Sequence, residues 1–316
     1  MLKKLMICLL VGFIVGCTPS DSSLSEKELT LIVPGSPDGG WDALASSIKT
    51  VIEKEKLIDS NIKIVYEEGN GGEEGWLRLN ESSSGTVAMT SSLLLTNELL
   101  GHSKLHYKDF TPLATMASEW QAVVVSNHSS ITSIHDLMQK LKSEPARYPI
   151  GIEPQFGNDD QIAFIQAART QQISIASVRF LRYTNGEDLL QALHSGEIEA
   201  ASLSSSQSEI FAENKQIRII AISSPERLER LPDVPTWKEE GIDVVFPHWR
   251  GVMGSGDMSE MEREQWNQLL EKVQASPVWE KELEKNNWTA FYRNSEETAA
   301  LLENEYRKYH SIMQHK

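Results

Sequence analysis

The chain has 316 residues, 45 of them acidic and 30 basic, for a formal charge of −15. That surplus argues against nucleic acid or a polybasic membrane surface as a partner, but not against a small anion, because a pocket of backbone N–H groups is locally positive even in an acidic protein. Both cysteines, Cys8 and Cys17, lie near the N-terminus, so nothing beyond them can supply a disulfide, a thiolate metal ligand or a thiol nucleophile.

In chain order, Lys3 and Lys4 precede an apolar run from Leu5 to Val15, too short for a permanent membrane span and of the length of an export signal. It closes on Gly16-Cys17, which resembles a bacterial lipoprotein signal; an ordinary secretory signal ending near a cysteine is the alternative. Cys17 is expected to be the lipidated first residue, behind a leader of residues 1–17 and ahead of a polar tether over 18–28. The expected location is therefore extracytoplasmic, in the periplasm or on the outer face of the cell membrane, with the lipid as membrane anchor. About 290 residues follow the tether, enough for two domains of ordinary size.

Residues 29–45, LTLIVPGSPDGGWDALA, set a pattern that the rest of the chain repeats. Leu29 to Val33 is an apolar run of strand type, PGSPDGG consists of turn formers, and Trp41 opens a helix whose apolar face continues through Ile48, Val51 and Ile52. Such a unit aims the N–H groups of the helix start into a crevice, where they can hold an anion without a basic side chain. It can equally be a plain tight connection. Further strands are expected at 62–66, 86–90, 121–126, 148–152, 177–181, 197–203, 217–222 and 244–253, with a glycine turn in EEGNGGEEG and a loop at 107–112. Helices are expected at 133–143, 161–170, 189–194 and 236–240, then at 258–275, 278–286 and 296–313. The alternation predicts a mostly parallel sheet, at one edge of which the turns EPQFGNDD, YTNGED and SSSQS should gather.

Five of these stretches carry a resemblance. PGSPDGGWD, EEGNGGEEG, YKDFTPLATM, AISSPERLERLPDVPTWKEEGIDV and HWRGV stand in the order and spacing of the substrate-binding receptors of the tripartite tricarboxylate transporters, the Bug family. The chain is identified as a member from about Leu29 to its C-terminus. The resemblance implies an α/β, two-lobed periplasmic-binding-protein fold, type II-like, a Venus flytrap with the ligand cleft between lobes. Residues 28–125 and 246–316 would form one lobe and 126–245 the other. It implies a monomeric receptor without cofactor or metal, which closes on a small carboxylate or amino-acid-like solute and hands it to integral-membrane transporter subunits. By matching position the ligand would be held by Gly35, Ser36, Gly39, Gly40, Trp41 and Asp42 of the first loop and by Gly157, Asn158 and Asp159 of the second. Tyr183, Thr184, Asn185 and Gly186 of the third turn and Ser204 and Ser206 of the serine turn would complete the set.

The sequence departs from the family where charge matters. Asp38, Glu153 and Glu187 stand where close relatives have glycine, Asp160 replaces a histidine, and Gln207 stands where an acid is usual. Either these acids point outward and pocket chemistry is unchanged, or the ligand carries a positive group, less negative charge or a bound metal ion. Asp42 can cap the helix that it opens, and Arg250 can brace the lobe junction through a carboxylate. His128, His194 and His248 have no second histidine at ligand spacing. With no GxSxG, no HExxH and no cysteine beyond residue 17, an enzyme is not expected. The competing class is a sensory subunit serving a histidine kinase or chemoreceptor.

Overall fold

The computed structural model describes residues 23–37, 39–153 and 155–314; the expected leader, Cys17 and Asp38 lie outside the described residues. The described end of the expected tether is already packed. Leu24 is buried, its N–H donates to Gln265 Oε1 (3.1 Å) and its carbonyl accepts from Ser60 Oγ (2.9 Å).

Strand β1 (Leu29–Val33) runs parallel to β2 (Ile62–Tyr66) and β3 (Thr86–Ser91). Between the first two, helix α1 (Gly40–Glu55) buries Leu44, Ile48, Val51 and Ile52, positions i, i+4, i+7 and i+8 that share one face. It stops at Lys56, whose φ of 50° is left-handed. Helix α2 (Glu73–Asn80) and helix α3 (Leu93–Leu99) flank β3, in stretches too short for periodicity to announce them. The α2 helix presses on the first loop: a Cβ added at Gly75 would lie 2.7 Å from Pro34 Cα. Gly75→Ala is accordingly expected to cost about 1–3 kcal/mol by overpacking against backbone, read as a lower thermal unfolding midpoint.

The expectation of a mostly parallel sheet fails at the centre. Strand β4 (Phe110–Ser126) is a single strand of 17 residues, and β9 (Pro247–Ser255) lies antiparallel to its first part. Of the stretch 107–112, read as a loop, Tyr107–Asp109 is a turn of 3-10 helix and the last three residues begin β4; Pro112 sits at a register shift, where a residue without an N–H is tolerated. From Gln121 onward β4 changes partners to β7 (Ala200–Ser204) and β8 (Ile217–Ile222), both antiparallel to it. Beyond β7 come β5 (Ile150–Ile152) and, outermost, β6 (Phe180–Arg182), mutually parallel. The strand order is β2-β1-β3-β9-β4-β7-β5-β6, two parallel triplets joined through an antiparallel middle.

Helix α4 (Ile134–Ser143) buries Ile134, Leu137, Met138 and Leu141, as their spacing predicts, behind a Ser133 cap. Helices α5 (Asp159–Thr170), α6 (Gly186–Ser195) and α7 (Ser205–Glu213) follow β5, β6 and β7. After β9 the chain forms α8 (Glu260–Gln274), α9 (Pro277–Lys285), strand β10 (Thr289–Arg293) paired with β4, and α10 (Ser295–Gln314). Trp266, Leu269, Leu270 and Leu302 are buried, while Leu301 and Tyr306 of the same apolar side are half-buried. Where β4 changes partners, Ser223 ties three segments together. Its N–H donates to Gln121 O (2.8 Å), its Oγ donates to Phe246 O (2.7 Å) and accepts from Gln121 N–H (2.9 Å).

Candidate functional site

A cleft of about 600 Å³ opens beside this crossing, lined from one side by the first loop, the Glu68–Gly72 turn and β9, and from the other by the turns after β5 and β7. Gly35, Ser36, Gly39, Gly40 and Trp41 all line it. The first hydrogen bond within α1 runs from Ala43 N–H to Gly39 O (2.9 Å), and Gly39 caps the helix with no side-chain bond, so the N–H groups at the start of this 16-residue helix point at the cleft. Trp41 stands edge-on to Trp76, ring centroids 5.7 Å apart. Gly72 has φ of +104°, and a Cβ there would lie 3.0 Å from both indoles. The indole N–H of Trp41 is buried with no partner among the described residues.

Asp42 does not line the cleft. Being the third residue of α1, it turns outward, and its Oδ1 accepts from Tyr66 OH (2.9 Å) and Ser46 Oγ (3.2 Å).

Four ionisable side chains cross the floor. Arg250 binds Glu119, and its guanidinium lies against the start of α1, 2.4 Å from where a Gly40 Cβ would be. Burial alone would push the Glu119 carboxyl up, but Arg250 and His248, with a hydrogen bond from Ser206, hold it at about 2. His248 Nε2 lies 3.3 Å from Asp159 Oδ2, whose other oxygen accepts from Ser92 Oγ. With the Gln121 amide oriented to donate to Asp160 Oδ1 (3.0 Å) and Leu203 O (2.8 Å), its oxygen faces His248 Nδ1 at 3.3 Å. His248 and Arg250 share a face because they are two apart on a strand, while Trp249 between them is buried on the other side.

The second turn contributes Glu153, Gln155, Asn158, Asp159 and Asp160 to the lining. Asn158 caps α5 through Gln161 N–H (3.2 Å) and donates to Glu153 O. Burial pushes the Glu153 carboxyl up, against a hydrogen bond from Gln207. Burial, and then the Glu153 charge, push Asp160 further up. Gly157, expected here, instead lines a separate groove of about 480 Å³ with Phe156 and Ile312. Its φ of +79° turns it away against Leu100.

From the serine turn, Ser204 lines the cleft and caps α7, and Gln207 donates to Glu153 Oε1 (2.7 Å). Ser206 does not line it but donates to Glu119, which does. The third turn is displaced: none of Tyr183, Thr184, Asn185 and Gly186 reaches the lining. The cause is strand order, because β6 is the outermost strand and β5 stands between it and β7. Tyr183 leans toward Glu197, with its hydroxyl pushed up to about 12 by burial and that charge. Asn185 caps α6 through Asp188 N–H (2.9 Å), Thr184 is exposed, and Gly186 packs behind Gln207 and Phe211. Of the extra acids, Glu187 is exposed and outside the cleft, whereas Glu153 and Asp160 are in it.

Glu119, His248 and Ser91 line the cleft although sequence reasoning did not select them for binding. The usable signal was an acid set in an apolar strand run, SEWQAVVV. Among the described residues no group of three or more His, Cys, Asp or Glu side chains could hold a metal ion, and no helix is long and apolar enough to cross a membrane.

Comparisons with known proteins bear on this geometry. The model of the tripartite tricarboxylate transporter family receptor matches residues 82–316. A solute-binding protein of the same family from Polaromonas superposes with a TM-score of 0.76 at 20% identity, covering 91% of this chain and 98% of that one. MatC from Rhodopseudomonas palustris, solved with bound malate, gives 0.70 at 17% identity over 90% and 98% of the two chains. A further R. palustris protein, solved with adipate, gives 0.74 at 18% over 91% and 96%. At these identities the structural likeness speaks for the fold.

Proposed function

The chain belongs to the tripartite tricarboxylate transporter receptor family, and on that premise we propose that it captures a small carboxylate outside the cytoplasm and delivers it to integral-membrane transporter subunits. In this reading Cys17 carries the lipid anchor. Residues 28–125 with 246–316 form one lobe, residues 126–245 the other, and the solute is enclosed between them without a bond being made or broken. The observation that carries the proposal is the start of α1, uncapped by any side chain and opening into a cleft lined from both sides of the β4 crossing. Malate and adipate in two proteins of like fold support the ligand class. Denaturing and refolding the protein to strip carried-over solute, then heating it with a panel of carboxylates, tests the reading. A true ligand at about 100 times its Kd adds about 2.7 kcal/mol, a rise of several degrees in midpoint. No rise with any carboxylate in the panel contradicts it.

A further inference from the structure

We infer that the solute is a carboxylate that also carries an ammonium group, its carboxylate on the start of α1 and its ammonium against Glu153 and Asp160. The inference rests on the receptor reading and adds the charge of the solute's far end.

Two helices begin at the cleft, and they are not equivalent. The α1 start is made of glycines and carries Arg250 alongside it. The α5 start is filled by the chain's own acceptors: Asn158 caps Gln161 N–H, Asp159 and Asp160 occupy the first turn, and Asp160 Oδ2 accepts from Glu153 N–H (3.3 Å). Negative side chains at a helix N-terminus satisfy the same field that would otherwise attract an anionic ligand. A second ligand carboxylate would therefore meet Glu153, Asp159 and Asp160 there, with nothing left to bind it.

The basic groups do not offset this. Arg250 is held by Glu119, and His248 lies between Asp159 and Gln121. Of the ionisable side chains on the lining, the carboxyls Glu68, Glu119, Glu153, Asp159 and Asp160 outnumber the basic groups His248 and Arg250. What remains short of a partner is Glu153, beside Asp160. Glu153 Oε1 takes the Gln207 amide, but its Oε2 is buried with no partner among the described residues, and Asp160 is only 6% exposed. Glu153 Oε2 thus lacks a donor, while Asp160, whose oxygens accept from Glu153 N–H and the Gln121 amide, lacks a countercharge among the described residues; an ammonium between them supplies both. Burial raises both carboxyls from their ordinary values. An ammonium favours their ionised form and expels protons on binding, whereas a second carboxylate favours the protonated form and takes protons up.

Calorimetric titration of the stripped protein with matched pairs tests this: succinate against 3-aminopropanoate, glutarate against 4-aminobutanoate, adipate against 5-aminopentanoate, with butanoate and magnesium citrate as controls, each in two buffers of different ionisation enthalpy. The expected result is at least a tenfold preference for an amino-carboxylate over its dicarboxylate partner, proton release on binding, and tighter binding as pH rises. Glu153→Gln should weaken the amino-carboxylate at least tenfold and strengthen the dicarboxylate. The comparison within the unmodified protein stands even if that variant does not fold. Tighter binding of a dicarboxylate with proton uptake, or of magnesium citrate alone, overturns the inference and leaves the receptor reading intact. No binding by any carboxylate overturns both.

Discussion

Arg250→Ala should destabilise the protein by about 3–5 kcal/mol, the cost of leaving one partner of a buried ion pair behind. Glu119 is 2% exposed and keeps only Ser206 as a donor once the guanidinium is gone. The loss exceeds that of a surface pair, worth about 0–1 kcal/mol, because Glu119 is almost wholly buried. Truncation also removes a side chain stacked 5.5 Å from the Trp288 ring. The sign with pH is set by Glu119, whose carboxyl is depressed to about 2 in the folded protein. Its contribution is fully present above the ordinary glutamate range and is lost as pH falls through about 2. In the variant that carboxyl rises, so the difference between the two proteins should narrow as acid protonates it. Urea unfolding at several pH values reads this directly, as a shifted midpoint with an unchanged slope. Adding Glu119→Gln to Arg250→Ala should recover part of the loss.

Gly40→Val should weaken carboxylate binding at least about 100-fold. Hydrogen bonds to a charged group are worth about 1.5–3 kcal/mol each, and an isopropyl group at the helix start blocks approach to two or more N–H donors, which corresponds to about 3–6 kcal/mol. The added carbons also meet the Arg250 guanidinium, 2.4 Å from the new Cβ. Arg250 cannot simply swing aside, since Glu119 and Trp288 hold it. Stability should therefore fall as well, and titration calorimetry on the refolded fraction separates the two effects. Ser46→Ala, on the outward side of α1 at the Asp42 bond, should leave affinity unchanged.

The local grammar of the chain was legible. The run LIVPGSPDGGW reads as strand, loop and helix because each segment has its own chemistry, and β1 and α1 stand there. The spacing of Leu137, Met138 and Leu141 likewise placed α4. Strand order was not legible, because nothing local tells whether β6 lies inside or outside β5; that one fact removed Tyr183, Thr184, Asn185 and Gly186 from the cleft. The length of β4 was hidden by Pro112 and by Glu119, which reads as a solvent-facing residue until Arg250, 131 residues away, is seen beside it. Helix α7 was masked by its serines, which favour turns and caps over helix interiors. In TAFYR the five residues of β10 were too few to stand out between two long helices.

In the proposed receptor, the start of α1 holds the carboxylate. A crystal structure of the protein with the tightest-binding carboxylate tests it most directly. Carboxylate oxygens are expected at about 2.7–3.2 Å from backbone N–H groups in the Gly39–Trp41 stretch, with Trp41 along the carbon chain. A carboxylate seated in the groove beside Phe156 and Ile312, or bound in the cleft with the α1 start untouched, would contradict it.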